Sequence, residues 1–138
     1  MRILSIDYGG KRTGLAVTDP LRIIATALDT VATPDIFDYL QAYCSRETVS
    51  NIVVGEPLNT DGTPTHSSEM VAVFVEKIRV LFPEIEIDTY DERFTSVIAK
   101  KRMLSMGLKK KDRREKGLID KISAVIILED YLVFKGIF

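Results

Sequence analysis

Three acids stand where strand and helix ends could bring them together. Asp7 closes a short apolar run from Arg2 (RILSID). Glu92 follows an alternating run that ends near Tyr90, and Asp120 opens the apolar run that closes the chain. Asp120 shares helical spacing with Ala124, Ile127 and Tyr131, which is an apolar face. A carboxylate on such a face needs a partner, and a metal ion is one. Carboxylates without His or Cys select hard cations that keep their waters, so the expected ion is Mg²⁺ or Mn²⁺. The lone Cys44 and lone His66 make no structural zinc site. Such cations, often paired ~3.5–4 Å apart, drive phosphodiester hydrolysis by activating water and stabilising the leaving oxygen. Each acid also has an ordinary reading: Asp7 as the cap of a turn over Tyr8–Lys11, Glu92 as a surface acid paired with Arg93, Asp120 as a helix N-cap.

Charge supports a polyanionic substrate. The chain of 138 residues has net charge −1, yet Lys100 to Lys116 hold nine bases against Asp112 and Glu115. That segment is +7 and the rest of the chain −8. A local basic patch on an acidic protein is a footprint for nucleic acid, and a solvated loop is its ordinary alternative. Lys109, Lys110 and Lys111 are the expected substrate contacts, as phosphate neutralisers without sequence readout. Arg12 pairs with a phosphate or is an ordinary charge at a strand edge.

These residues need a scaffold. Arg2–Asp7, Arg12–Thr18 and Arg22–Leu28 read as three strands joined by short turns, hence antiparallel. Thr33-Pro34-Asp35 reads as a helix start with Thr33 as N-cap, the helix running to about Cys44. Asn51–Gly55 reads as a buried strand, and the chain from Pro64 to Phe82 as a helix with Met70, Phe74 and Ile78 at i+4 and Pro83 as its stop. Glu84–Tyr90 alternates as a fifth strand. Phe94–Met106 reads as a helix stopped by Gly107, and a last helix runs from near Leu118 to about Phe134. Phe94 is expected in the core, Thr95 as a helix cap, His66 at a solvent-facing helix start and Cys44 near the core. Three meandering strands followed by αβ alternation imply one mixed sheet with helices packed on it, an α/β fold. In such sheets ligands gather outside the carboxyl ends of the parallel strands, where Asp7 and Glu92 would meet if their strands run parallel.

Four blocks of the chain resemble a known family. Asp7-Tyr8-Gly9-Gly10-Lys11-Arg12-Thr13-Gly14-Leu15-Ala16-Val17-Thr18-Asp19 resembles the opening motif of the YqgF family, also called RuvX, which consists of ribonuclease H-like nucleases related to Holliday junction resolvases. Val53-Val54-Gly55-Glu56-Pro57-Leu58-Asn59 with Asp61-Gly62 resembles its second block, and Asp91-Glu92-Arg93-Phe94-Thr95-Ser96 its third. Asp120-Lys121-Ile122-Ser123-Ala124 with Ile126-Ile127-Leu128 resembles the fourth, and the blocks keep the family's order over nearly the whole chain. The resemblance implies a ribonuclease H-like fold: a five-stranded mixed sheet, three antiparallel strands first, flanked by helices. It implies Asp7, Glu92 and Asp120 as a catalytic and metal-binding cluster, and a role in maturing the 5′ end of the small-subunit (16S) ribosomal RNA precursor. Resolvase activity on branched DNA is an older proposal for the family. Related resolvases carry an acid on the strand before the second block's loop and another within a turn of the last helix's Asp. Here Val54 and Gly55 leave that strand end bare, and neither Gly117 nor Ser123 supplies the helix acid. Three carboxylates hold one metal comfortably, with Glu56 as a fourth candidate set one residue late on its strand.

Composition bounds the rest. With 46% hydrophobic, 28% charged and 8% aromatic residues, the chain is ordinary globular sequence of one domain's length, read as a single nuclease domain over residues 1–138. One cysteine rules out an internal disulfide. No apolar run reaches the ~18–20 residues of a membrane span. The N-terminus lacks a signal-peptide pattern, so the expected location is cytoplasmic. The Asp7-x-Gly pattern also opens sugar kinases, actins and chaperone ATPases, but those need two lobes, and 138 residues hold one. The expected activity is thus Mg²⁺- or Mn²⁺-dependent endonucleolytic cleavage of structured RNA, by a monomer or homodimer. The alternatives are cleavage of DNA junctions, which needs a two-fold dimer, and RNA binding as an assembly or transcription factor without cleavage.

Overall fold

The structure is a computed structural model, and it describes residues 1–57, 61–92, 101 and 116–138, with the backbone alone over 116–120. Strands β1 (Arg2–Asp7), β2 (Arg12–Thr18) and β3 (Ala25–Ala32) form an antiparallel meander. A 3₁₀ turn (Thr33–Asp35) leads into helix α1 (Ile36–Arg46), then β4 (Val49–Glu56), α2 (His66–Leu81), β5 (Glu86–Asp91) and the final helix α3 (Lys116–Phe134). The sheet order is β3-β2-β1-β4-β5, with β4 parallel to both β1 and β5. This is the mixed sheet expected from the sequence, and it places the ends of β1 and β5 on either side of β4.

Side-chain alternation sorts the strands onto two faces. Leu4, Ile6, Leu15, Val17, Ile52, Val54 and Ile87 pack under α1 and α2, whose buried face includes Leu40, Val71, Phe74 and Ile78. Ile3, Ala16 and Val53 pack under Ala124, Ile127, Leu128, Tyr131 and Leu132 of α3. The parity puts Asp7, Gly55 and Arg12 on the α3 face as well, because each lies an even number of residues from one of these. The α2 helix begins at a reciprocal cap: the Thr65 hydroxyl accepts from the Ser68 N–H at 3.0 Å, and the Ser68 hydroxyl accepts from the Thr65 N–H at 2.8 Å. His66 is exposed at that start, and the Cys44 thiol is half-buried, its pKa pushed up by desolvation.

Three local expectations shift. The third strand starts at Ala25 rather than Arg22, because the Asp19 carboxylate accepts from the N–H groups of Ile23 and Ile24 at 2.6 and 2.9 Å and holds residues 19–24 as a loop. Arg22 takes φ 60° within it. The Thr33 side chain does not cap α1. Its hydroxyl bonds the Gly9 carbonyl at 2.6 Å and lies 2.9 Å from the Thr13 hydroxyl, so it clamps the β1–β2 turn instead. On α2 Val71, Phe74, Val75 and Ile78 form the buried stripe as the spacing predicts, while Met70 and Leu81, expected with them, are exposed. The expected helix over 94–106, with Phe94 and Thr95, and the basic residues Lys109, Lys110 and Lys111 lie outside the described residues. No helix among the described residues is long and apolar enough to cross a membrane.

Candidate active site

Asp7 ends β1 in a position held from several sides. It pairs with Gly14 across the antiparallel ladder. The next residue, Tyr8, turns to the opposite face and stacks on Phe74, with ring centroids 4.3 Å apart. The turn beyond it is tied by Thr33, whose N–H donates to the Lys11 carbonyl at 2.9 Å and whose hydroxyl reaches Gly9. Glycine is required at position 9, since a Cβ there would stand 2.3 Å from the Arg12 carbonyl oxygen. Asp7 is thus fixed between a buried strand and a braced turn.

Glu92 comes from the other side of β4. Its N–H donates to the Glu56 carbonyl at 3.1 Å, which extends the β4–β5 pairing one residue past Asp91. Alternation therefore continues, and Glu92 shares the α3 face with Asp88 and Tyr90. Those two are anchored there: Tyr131 donates its hydroxyl to the Asp88 carboxylate, and the Tyr90 ring meets Tyr131 and Phe134 edge-on at 6.3 and 6.2 Å.

The two carboxyl groups meet over Gly55. Asp7 and Glu92 are hydrogen-bonded side chain to side chain. A Cβ on Gly55 would lie 2.5 Å from Glu92 Oε2 and 2.7 Å from Ile127 Cδ1. Burial is the first cause that pushes the Glu92 pKa up to about 9, followed by the negative charge of Asp7, the hydrogen bond that protonated Glu92 donates to it and the charge of Asp91. Two such acids share a proton, because burial and the neighbouring negative charge both disfavour a second ionisation.

The third acid is carried by α3. The Ser5 hydroxyl donates to the Ala124 carbonyl at 2.6 Å and pins the helix over β1, two residues before Asp7. Asp120 lies four residues before Ala124, about 6 Å along the axis, and its side chain is outside the described residues. Ser123 is buried, and its hydroxyl is the one buried side-chain polar atom among the described residues with no hydrogen-bond partner. Arg12 opens β2 on the same face, two residues from the Gly14 that faces Asp7. Glu56 is not part of this group. It shares the opposite face with Val54 and lines a small cavity with Ser68, Val75, Arg79 and Thr89. Being one residue late on β4 turns it away.

The donor set suits a hard divalent cation. Two abutting carboxylates, one kept protonated by the other, are all-oxygen ligands that a cation would stabilise in their ionised form. No group of three or more His, Cys, Asp or Glu placed to hold a metal occurs among the described residues, the Asp120 side chain being outside them. What sequence reasoning missed here is Gly55. Its signal was visible: a glycine at the end of the strand between two acid-bearing strands. It reads from sequence as an absent ligand, whereas the fold makes it the space a ligand uses.

Comparison with known proteins bears on this geometry. A family model described as "RuvX: Holliday junction resolvase" matches residues 1–133. A protein of Flavobacterium johnsoniae named "Putative pre-16S rRNA nuclease" is 48% identical over 134 residues, covering 97% of each chain. One of the same name from Phocaeicola vulgatus is 48% identical over 134 residues, covering 97% of this chain and 96% of its own. Among solved structures, RuvC of Thermus thermophilus in complex with a Holliday junction substrate superposes with a TM-score of 0.60 at 17% identity, covering 98% of this chain and 96% of that one. The fowlpox virus Holliday junction resolvase gives 0.58 at 12% identity, covering 97% of this chain and 99% of that one. At such identities the likeness is one of fold, the ribonuclease H-like sheet of the resolvases.

Proposed function

The chain belongs to the RuvX family of Holliday junction resolvases and is a nuclease, a hydrolase of phosphodiester bonds, and from this premise we propose that it is a metal-dependent endonuclease that processes the 5′ end of the 16S ribosomal RNA precursor. The observation that carries the catalytic half is the meeting of Asp7 and Glu92 over Gly55 at the carboxyl ends of parallel strands. The relatives' name carries the RNA half.

In this reading Asp7 and Glu92 hold Mg²⁺ or Mn²⁺ between β1 and β5, and Asp120 adds a ligand from α3. The cation supplies a water of lowered pKa and stabilises charge on the departing oxygen. Asp7, braced by the turn behind it, fixes where the ion sits. Glu92 gives up its proton on loading, so loading is favoured by rising pH. Arg12, on the same face and two residues along β2 from the Gly14 that faces Asp7, pairs with a substrate phosphate. Lys109, Lys110 and Lys111 neutralise phosphates further along the RNA. The chain acts as one nuclease domain in the cytoplasm, as a monomer or homodimer.

The test is cleavage of precursor small-subunit ribosomal RNA by the purified protein with Mg²⁺ or Mn²⁺, beside Asp7→Asn and Glu92→Gln and with a labelled four-way DNA junction as competitor. The expected outcome is RNA cleavage by the wild type that falls by about 10²-fold or more in both variants. Undiminished cleavage by Asp7→Asn overturns the mechanism. Salt-sensitive RNA binding without cleavage under either metal replaces it with an assembly factor, and preferred cutting of the junction replaces the substrate.

A further inference from the structure

We propose that Gly55 is a positioning residue of the acidic site, and that Glu92 occupies the space in which a side chain from the central strand would otherwise lie. Adjacent strands are ~4.7–4.9 Å apart, so β1 and β5 are separated by about twice that across β4. Their carboxylates meet only by leaning over β4, and the residue of β4 level with Asp7 on that face is Gly55, the one after the Ile6–Val54 pair. A Cβ there would stand 2.5 Å from Glu92 Oε2 and 2.9 Å from Glu92 Cδ. Nothing in the backbone demands glycine at this position: the described glycines with positive φ are Gly62 and Gly136. The missing side chain is therefore about room.

The added methyl would press on a second side chain as well. The other neighbour of the added Cβ would be Ile127 Cδ1 at 2.7 Å, and Ile127 is 1% exposed, packed between α3 and the sheet. Close-packed interiors do not yield to an extra methyl without strain. Glu92 lies after the end of its strand and can rotate outward. An alanine at 55 thus displaces the Glu92 carboxylate from Asp7 while the two strands stay in place. The same coincidence works in reverse. An aspartate at 55 with Glu92 truncated would put a carboxylate from β4 into the position that β5 now supplies.

The proposal rests on the metal-site reading for its second readout alone. The test compares the wild type with Asp7→Asn, Gly55→Ala, Glu92→Ala and the pair Gly55→Asp/Glu92→Ala, each checked for native circular dichroism. Crystal structures locate the carboxylates, and calorimetry reads Mn²⁺ binding. Gly55→Ala is expected to part Glu92 from Asp7 and to weaken Mn²⁺ binding about 10–100-fold, as Glu92→Ala does. The pair is expected to recover most of that loss. A Gly55→Ala structure that keeps Glu92 against Asp7, or a pair that binds no better than Glu92→Ala, overturns the proposal. Wild-type Mn²⁺ binding that Asp7→Asn leaves unchanged overturns the metal site instead, and the carboxylate positions still decide the role of Gly55.

Discussion

The two faces of the sheet are built from the same strands to different ends. Under α1 and α2, β1 and β4 carry apolar side chains nearly to their ends: Ile6 and Val54 are fully buried before Glu56 closes β4 on that face, and Tyr8 carries the packing past the end of β1 onto Phe74. Under α3 the apolar layer stops halfway. Ile3, Ala16 and Val53 are core, but Ser5, Asp7, Gly55 and Glu92 take over toward the carboxyl ends. One face spends its alternation on burial, and the other releases its upper half for polar groups. The polar half accommodates a buried acid pair while the apolar face holds the strands in register. One sheet can thus keep stability and chemistry on separate side chains that are neighbours in sequence, such as Ile6 and Asp7.

The largest break in that comparison is Phe74→Ala. It removes a fully buried ring from the apolar face together with the stack under Tyr8, and is expected to cost about 3–5 kcal/mol in urea unfolding. Asp7→Asn, on the other face, is expected to change stability by about 1 kcal/mol or less, since the amide keeps the shape and its oxygen still accepts from the protonated Glu92. Equal losses in the two variants would show that the faces are not separable.

A smaller effect sharpens the contrast through pH. The Glu92 pKa lies near 9 in the folded chain against about 4.5 when exposed. The native state therefore holds a proton that the unfolded chain has released, and between those values stability falls as pH rises. Denaturation in EDTA at pH 5, 7 and 9 should show this decline, reduced in Glu92→Gln. Mg²⁺ should reverse it at the alkaline end, by compensating the ionised pair. A wild-type profile that Glu92→Gln merely reproduces would mean the acid pair carries no linked proton.

The smallest is Ser5→Ala. It deletes the bond that pins Ala124 of α3 over β1 and is expected to cost about 0.5–1.5 kcal/mol in stability. If α3 owes its placement near Asp7 to that bond, cleavage falls further than stability does. A proportionate fall would assign Ser5 to the fold alone.

Much of this was legible in the sequence, for reasons tied to particular residues. Period-two alternation and an acid at the end of RILSID located β1 and Asp7, and the turn residues after Asp7 located the hairpin. The αβ alternation implied a mixed sheet, but that β1 and β5 run parallel on either side of β4 came only with the strand order. The third strand was misplaced because Leu21, Ile23 and Ile24 look like a strand by composition, while the Asp19 carboxylate bonds their backbone into an exposed loop. Thr33 resembled a helix cap because its partners Gly9 and Thr13 are distant in sequence and local pattern does not report them. Gly55 was seen only as lacking an acid, because a space is defined by what surrounds it, here a carboxylate 37 positions further along the chain.

The order of the strands also bears on when the site comes into being. The β1–β2–β3 meander closes over short turns and carries Asp7 with it. The β1–β4 and β4–β5 pairings are parallel crossovers that close much longer loops, and contacts of that kind form slowly in folding. Asp7 therefore waits, alone and in place, for a partner that arrives with the last strand of the sheet. In the function proposed above, a chain still emerging from synthesis, at roughly 5–20 residues per second, holds one of the two acids until β5 has docked. The proposed centre is complete only once the sheet is.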